Sequence, residues 1–503
     1  MKTLKEHLAK VYAAYIAGQY REGKLKAVDH QKKWFDTIIK KAAGTQFGKD
    51  YGLSSVRDYD DFKKRVPLQT YEDIRPYIER IIEGEKDVLW PGKPLYFAKT
   101  SGTTSGVKYI PISRESMPFH VKAARDMLLL YIAATGKTDF LRGKMIFLQG
   151  SPALEKKGGI PTGRLSGIAA HYVPKYLQKN RLPSWETNII DDWEKKLDAI
   201  IRETLPAEMT LISGIPSWLQ QYFEKLTERT GKPVGEIFPH FSLLVHGGVN
   251  FAPYRKKFRH LIGREIDTLE TYPASEGFIA FQDDIKRNDL LLLTNHGIFY
   301  EFVPLAEIHK ENPVRLSLED VRTETDYAIV LNTNAGLSGY VIGDTVRFTS
   351  TNPYRIVVTG RVKHYISAFG EHVIAKEVEN AMNENLKQFG VQINEFTVAP
   401  QITPESGLPY HEWFVETDEA DNFTPDFARR LDRAMQEQNI YYRDLIQGKI
   451  LRPAVVSLVK PGAFHRYMQS VGRLGGQNKI PRLKNDREIA DFFYRNKEII
   501  RQL

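Results

Sequence analysis

The pattern of apolar and polar residues changes along the chain. Up to about residue 240 it is mainly helical: residues 1–90 are charged and carry apolar residues at helical spacing. The same periodicity predicts helices over 117–134, from 191 to 205, and from 216 to 230. In the helix over 117–134 the predicted buried face consists of Val121, Ala124, Leu128 and Ile132.

Between residues 240 and 360 the pattern is typical of strands. Short apolar runs occur at 241–245, 266–272, 290–294, 298–303, 328–331 and 345–349. The runs 290–294 and 298–303 are separated only by Asn295-His296-Gly297, which predicts that they form a hairpin. Because strands alternate with helices, we expect an α/β core.

A domain boundary is predicted near residue 360. Beyond it, helical patterns over 373–386 and 427–438 alternate with apolar runs at 396–398 and 412–415. We therefore expect a large, multi-layer α/β domain over 1–360 and a smaller α+β domain over 361–503, the latter of ordinary domain size.

One stretch rich in glycine and hydroxyl side chains lies between two apolar runs that predict strands. It reads Lys99-Thr100-Ser101-Gly102-Thr103-Thr104-Ser105-Gly106-Val107-Lys108. Glycine lets successive N–H groups face one anion, and the hydroxyls can donate to phosphate oxygens. The stretch predicts a phosphate-binding loop, although a ligand-free hairpin can have the same composition. It is not a Walker A loop, because three residues rather than four separate its glycines.

Two further segments carry candidate chemistry where strands are predicted to end. The first is Tyr272-Pro273-Ala274-Ser275-Glu276, and the second is Gly339-Tyr340-Val341-Ile342-Gly343-Asp344. Ligands of open α/β sheets bind outside the carboxyl ends of the strands. Asp344, at a predicted tight turn, suits two hydrogen bonds from a ribose diol, and Glu276 suits Mg²⁺ beside phosphates. An acidic residue after a strand is more often a turn former or a helix cap than a ligand.

Composition narrows the class of protein. The chain has 503 residues, 42% of them hydrophobic, which is typical of a globular protein. It has no cysteine, which excludes thiol catalysis and cysteine-ligated metal. The net charge of +9 comes from basic residues interleaved with acidic ones, which argues against nucleic-acid binding. Since neither a membrane span nor a secretory leader is recognisable, we expect a cytoplasmic protein without a membrane partner.

The order of these motifs resembles that of the acyl-adenylate-forming superfamily and, within it, the auxin-responsive acyl acid–amido synthetase family (Gretchen Hagen three). Three nucleotide motifs match at 100–106, 272–276 and 340–344. The C-terminal signature resembles Lys460-Pro461-Gly462-Ala463-Phe464 followed by Gly476-Gln477-Asn478-Lys479-Ile480-Pro481-Arg482. The resemblance covers essentially the whole chain.

The resemblance implies a role for each motif. It implies that Ser101, Gly102, Thr103, Thr104, Ser105 and Gly106 hold the ATP phosphates. Gly247 and Gly248 would flank the adenine, Tyr272 would pack near it beside Ser275, and Glu276 would bind Mg²⁺. Asp344 and Arg361 would contact the ribose, Lys363 would mark the hinge between domains, and Lys479 would be the catalytic lysine.

Three positions depart from the family pattern. Lys108 stands one residue earlier than the motif lysine of plant members, so its phosphate contact is open. Val341 replaces an arginine, and Asn478 replaces the usual tyrosine. None of these changes removes a group that the chemistry requires.

The activity implied by the resemblance is that of a two-step ligase. A carboxylic acid would attack the α-phosphorus of ATP to give an acyl-adenylate, and an amine, in particular an amino acid, would then take the acyl group. The alternatives are an acid–CoA ligase and a non-catalytic protein that binds adenylate or nucleic acid. We expect a monomer that uses ATP and Mg²⁺.

Overall fold

The computed structural model describes most of the chain: residues 4–101, 107–172, 179–190, 192–248, 251, 254–308, 310–362, 365–366, 373–401, 404–447, 451–474, 479–484 and 486–503. It divides into two compact units. The first comprises Met1–Ile342 and Val346–Val358, and the second Gly343–Thr345 and Thr359–Leu503. We describe each unit by itself.

Helices of the first unit form in the regions where helical periodicity is strongest. They are α1 (Leu4–Leu25), α2 (Ala27–Ala42), α3 (Gln46–Asp50), α4 (Tyr59–Arg65), α5 (Tyr71–Ile82), α6 (Met117–Thr135), α7 (Leu165–Ala170), α8 (Trp185–Asn188), α9 (Trp193–Thr204), α10 (Pro216–Thr230), α11 (Val234–Ile237) and α12 (Arg255–Ile262). As predicted, α10 begins at a proline and ends at Gly231, whose φ of +69° suits a helix C-terminus.

Fifteen of the strands form two sheets. They are β1 (Tyr96–Ser101), β2 (Val107–Ile112), β3 (Lys144–Phe147), β4 (Glu155–Lys157), β5 (Ile160–Gly163), β6 (Arg181–Leu182), β7 (Met209–Gly214), β8 (Leu243–Gly247), β9 (Asp267–Ala274), β10 (Gly277–Phe281), β11 (Leu290–Leu292), β12 (Ile298–Pro304), β13 (Asp326–Thr333), β14 (Tyr340–Thr351) and β15 (Tyr354–Arg361). The larger sheet has the order β12-β13-β14-β15-β11-β10-β9-β8-β7-β3-β6, and the smaller one β2-β1-β5-β4. The α/β class is confirmed.

The buried face of α6 differs from the predicted one. Ala123, Met127 and Leu130 are buried, whereas Ala124 is exposed and Leu128 is only half-buried. The reason is that α6 packs on more than one neighbour: its apolar residues join a core that includes residues of α1 and of the central strands. A helix that is covered on two sides does not have a single stripe of apolar residues.

The predicted hairpin between β11 and β12 is wrong. β11 pairs with β10 and β15, and three strands separate it from β12 in the sheet. β12 instead pairs with β13 over its whole length, Ile298–Pro304. The long ladder outweighs the local turn signal, and Gly297 (φ +79°) instead allows the backbone to pass close to the Asn334 side chain.

The second unit is a smaller α+β structure. Its further elements are β16 (Tyr365–Ile366), β17 (Val373–Ile374), α13 (Ala375–Phe389), β18 (Glu395–Gln401), β19 (Tyr410–Glu416), α14 (Pro425–Gln438), α15 (Ile440–Gln447), β20 (Val455–Val459), α16 (Ala463–Ser470), α17 (Glu488–Arg495) and β21 (Ile499–Gln502). Strands β18, β19, β20 and β21 form one sheet, and a core around Trp413 and Phe427 packs α13 and α14 on it. Among the described helices of the chain, none combines the length and the apolar character that crossing a bilayer demands.

Candidate active site

The parallel strands β3, β7, β8 and β9 end at one edge of the large sheet. Their pairing places Gly214 beside His246, and Gly247 beside Thr271. Ligands of such sheets bind outside the carboxyl ends of the strands. The predicted residues Gly247, Gly248 and Tyr272 therefore share this edge.

Glycine is required at the two positions at the end of β8 for different structural reasons. A Cβ on Gly247 would lie 2.3 Å from the carbonyl oxygen of Thr271, so no larger residue fits there. Gly248 has a φ of +83°, which side chains disfavour. Close packing against β9 therefore requires the first glycine, and a left-handed backbone conformation favours the second.

Ser275 and Glu276 form the two-residue turn between β9 and β10. Ala274 pairs with Gly277, so both residues are held at the tip of a tight hairpin. Tyr272, three residues before the turn, is buried in the core around β10 and β12, whereas Glu276 is half-buried. The hairpin fixes one carboxylate at the edge where the glycines lie.

Two ionisable groups next to these motifs, the buried His246 and the half-buried Glu270, are not indicated by any sequence motif. His246 stacks on Phe251 with ring centroids 3.9 Å apart, and burial, together with the charge of Arg255, lowers its pKa to about 3. Burial raises the pKa of Glu270 to about 7, against the opposing effect of Arg255. The sequence signal at Glu270 is weak, because the predicted strand 266–272 contains a second carboxylate, Asp267.

The two strands that flank the predicted phosphate loop, β1 and β2, form an antiparallel pair. Ser101, at the end of β1, pairs with Val107 at the start of β2. The loop residues Gly102, Thr103, Thr104, Ser105 and Gly106 and the side chain of Ser101 lie outside the described part of the chain. Lys108 lies with its Nζ 5.5 Å from the centroid of the Tyr71 ring. Its phosphate contact stays a prediction.

In the second unit, Asp344 does not lie in a tight turn after a strand, so that prediction is wrong. It lies within β14, directly after Gly343, whose φ is +92°. The N–H of Val362 donates to the carbonyl of Gly343 at 2.7 Å. This bond brings Asp344 and Arg361 onto neighbouring backbone segments, with Asp344 half-buried. The side chain of Arg361 and residue Lys363 lie outside the described part.

Lys479, also in the second unit, is exposed. The chain after it is anchored: Leu483 bridges to Val398, and the Arg482 guanidinium pairs with Glu379 and Glu395. The residues 475–478 before it lie outside the described part. Lys479 is therefore a solvent-accessible cation whose C-terminal flank is fixed to β18.

Family models match three parts of the chain: the GH3 family N-terminal domain at residues 18–189, its central domain at 291–361 and its C-terminal domain at 376–488. The chain belongs to the GH3 family. This confirms the resemblance inferred from the four motifs.

Relatives of this GH3 protein include plant amido synthetases. Jasmonoyl–L-amino acid synthetase JAR4 of Nicotiana attenuata is 22% identical over 529 residues, with 90% of each chain covered. Indole-3-acetic acid-amido synthetase GH3.3 of Arabidopsis thaliana is 23% identical over 541 residues, covering 90% of this chain and 88% of the relative.

Solved structures share the fold of this GH3 protein. GH3.15 acyl acid amido synthetase matches with a TM-score of 0.79 at 18% identity, covering 98% of this chain and 97% of that one. A 2-hydroxyisobutyryl-CoA ligase bound to R3-HIB-AMP matches with a TM-score of 0.62 at 14% identity, covering 95% and 92%. The first of these was also solved with 2,4-DB.

Proposed function

We propose that this protein is an ATP-dependent acyl acid–amido synthetase. It activates a carboxylic acid as an acyl-adenylate with release of pyrophosphate, and transfers the acyl group to an amine, in particular an amino acid. The observation that carries the proposal is the common edge formed by Gly247, Gly248, Tyr272 and Glu276 in a chain of the GH3 family.

The arrangement suits an in-line displacement at the α-phosphorus of ATP. Such a step needs positioned reactants and neutralised charge rather than a protein nucleophile. The predicted loop Ser101–Gly106 holds the phosphates, the glycines at the end of β8 flank the base, and Asp344 with Arg361 holds the ribose. The smaller C-terminal domain, over residues 361–503, changes its orientation between the two half-reactions.

Mg²⁺ is the metal that this chemistry uses, and Glu276 is the residue that would hold it. The described residues contain no cluster of three or more histidine or acidic side chains suited to a metal ion. A single carboxylate is nevertheless sufficient for Mg²⁺ that is also bound by phosphates and water. The ion would neutralise charge on the phosphates. Glu276 contributes an oxygen ligand on a rigid turn.

An acid–CoA ligase is the second candidate, favoured by the structural match to 2-hydroxyisobutyryl-CoA ligase. The amine acceptor is preferred because the match to GH3.15 amido synthetase has the higher TM-score and the family models are those of GH3 proteins. We further propose a cytoplasmic monomer without a nucleic-acid or membrane partner.

The deciding experiment measures ATP–pyrophosphate exchange over a panel of acids and amines, with products identified by mass spectrometry. Exchange is expected only with both an acid and Mg²⁺ present, and an amide is expected when amino acids are supplied. A thioester with CoA and no amide would assign the protein to the second candidate. ATP binding without exchange for any acid would exclude both ligase activities.

Replacing Asp344 by asparagine is expected to weaken ATP binding about tenfold, because a charge-assisted hydrogen bond is stronger than a neutral one by about 1–2 kcal/mol. Calorimetric titration with ATP measures this change. Thr345→Val, at the next position of β14, removes the hydroxyl that accepts from Thr359 at 2.9 Å and serves as the control. Equal affinities of wild type and the Asp344→Asn variant would reduce Asp344 to a structural residue.

A further inference from the structure

Next to the carboxyl end of β3 lies a half-buried arginine, Arg164, with one buried guanidinium nitrogen that has no hydrogen-bond acceptor among the described residues. Arg164 follows β5, and its side chain extends onto Gly150, where an added Cβ would lie 2.4 Å from Arg164 Cδ. Its Nη1 is buried and has no hydrogen-bond partner in the described part of the chain. Burial lowers the pKa of Arg164. An uncompensated buried charge is costly, and proteins normally pair it.

Two other buried donor atoms in the same region have no hydrogen-bond partner among the residues that the structure describes. They are Nε2 of Gln149 and Oγ of Ser166. The segment 163–167 packs directly on 150–152, since a Cβ on Gly167 would lie 2.4 Å from the carbonyl oxygen of Ser151. All three groups can donate a hydrogen bond, so what this region lacks is an acceptor.

Arg181 provides an internal comparison. It is also half-buried and its pKa is also lowered by burial, but its Nη1 donates to the carbonyl of Ala170 at 3.2 Å. Its guanidinium also lies over the Phe147 ring, 5.8 Å from the centroid. Within the described part of the chain, Nη1 of Arg181 therefore has an acceptor and Nη1 of Arg164 has none.

The position of Arg164 relative to the nucleotide motifs indicates which ligand would supply the acceptor. Gly150 lies beyond the end of β3, and β7 separates β3 from β8, which carries Gly247 and Gly248. Neighbouring strands are about 4.8 Å apart, so β3 and β8 lie roughly 10 Å apart. An acid that is activated at the end of β8 and extends towards β3 would bring its far end to the region of Arg164.

We infer that Arg164, with Ser166 and Gln149, binds an oxyanion at the far end of the acid substrate. The acids used would therefore carry a second carboxylate or an equivalent anionic group. This inference rests on the proposed function, because it assigns the far end of the acid pocket. A bidentate guanidinium–carboxylate contact in a buried place is strong and geometrically selective.

The test compares linear dicarboxylates with monocarboxylates of the same length, by calorimetric binding and by ATP–pyrophosphate exchange. Wild type is expected to prefer at least one dicarboxylate about ten- to a hundredfold. Arg164→Gln should abolish this preference without changing ATP affinity, and Arg164→Lys should keep part of it. Arg181→Gln, which removes the hydrogen-bonded guanidinium, should retain the preference.

Thermal unfolding adds a readout that does not depend on catalysis. Without ligand, Arg164→Gln should melt no lower than wild type, because it removes a guanidinium whose buried Nη1 has no hydrogen-bond partner among the described residues. A clear loss of stability would show that the fold itself needs the charge, which contradicts the inference. The best dicarboxylate should raise the melting temperature of wild type but not of Arg164→Gln.

The remaining outcomes separate this inference from the proposed function. Exchange with monocarboxylates and no preference for any dicarboxylate would overturn the inference and leave the proposed function standing. A binding preference for dicarboxylates that depends on Arg164, without exchange for any acid, would support the inference and exclude the proposed function. Weaker ATP binding by Arg164→Gln in the absence of acid would assign the guanidinium to the phosphates of ATP, since Arg164 follows the β5 partner of β1, and would also overturn the inference.

Discussion

Replacing Lys479 by alanine is expected to slow ATP–pyrophosphate exchange about a hundred- to thousandfold, because loss of one preorganised charge that stabilises a transition state typically costs about 3–4 kcal/mol. Adenylation brings a carboxylate and the α-phosphate together. A lysine ammonium is a compact charge that can offset the repulsion between them. Lys479 is exposed, and the chain after it is fixed to β18. ATP affinity and aminolysis of a supplied acyl-adenylate should be nearly unchanged.

Two lysines near Lys479 in sequence are suitable controls. Lys484 is held in ion pairs with Asp486 at 3.0 Å and with Glu488 at 2.6 Å, and Lys460 is exposed directly after β20. Alanine at either position should change exchange little. If Lys460→Ala or Lys484→Ala abolishes exchange while Lys479→Ala does not, Lys479 is not the catalytic lysine.

Replacing Glu270 by glutamine is expected to stabilise the protein above pH 7 relative to wild type. The pKa of Glu270 is about 7 in the folded state against an ordinary value of 4.5, because burial disfavours the charged form. This carboxyl therefore supports the fold fully below pH 4.5, and its contribution is lost as the pH rises through 7. This difference in pKa between the folded and unfolded states corresponds to a loss of at most roughly 3 kcal/mol in the free energy of unfolding.

Urea unfolding at a series of pH values measures this effect. The gain of Glu270→Gln over wild type should grow between pH 4.5 and 7 and stay constant above. Asp267→Asn is the matched control on the same strand, because Asp267 is paired with Lys137 and accepts a hydrogen bond from Tyr131. The Asp267→Asn substitution should lower the free energy of unfolding at neutral pH. A pH-independent difference for Glu270→Gln would show that Glu270 is not buried as described.

The candidate site shows which of its features can be predicted from the local sequence and which cannot. The order of the motifs predicted the family, and Gly248 and the turn at Ser275-Glu276 are short-range features that depend on adjacent residues. Gly247 is required instead by its packing against Thr271 on the next strand. The conformation predicted for Asp344 was wrong. It lies inside a strand because β14 extends over twelve residues, a length set by its neighbours in the sheet.

What the sequence alone determined about this protein is therefore its family, its α/β class and the elements with strong local signals, such as α10 between Pro216 and Gly231. Only the tertiary structure decided that β12 pairs with β13 rather than β11, that the pKa of Glu270 is raised by partial burial, and that Nη1 of Arg164 is buried. The physical reason is that helix caps and turns depend on neighbours along the chain. Strand partners and the burial of a charge depend instead on residues that are distant in sequence.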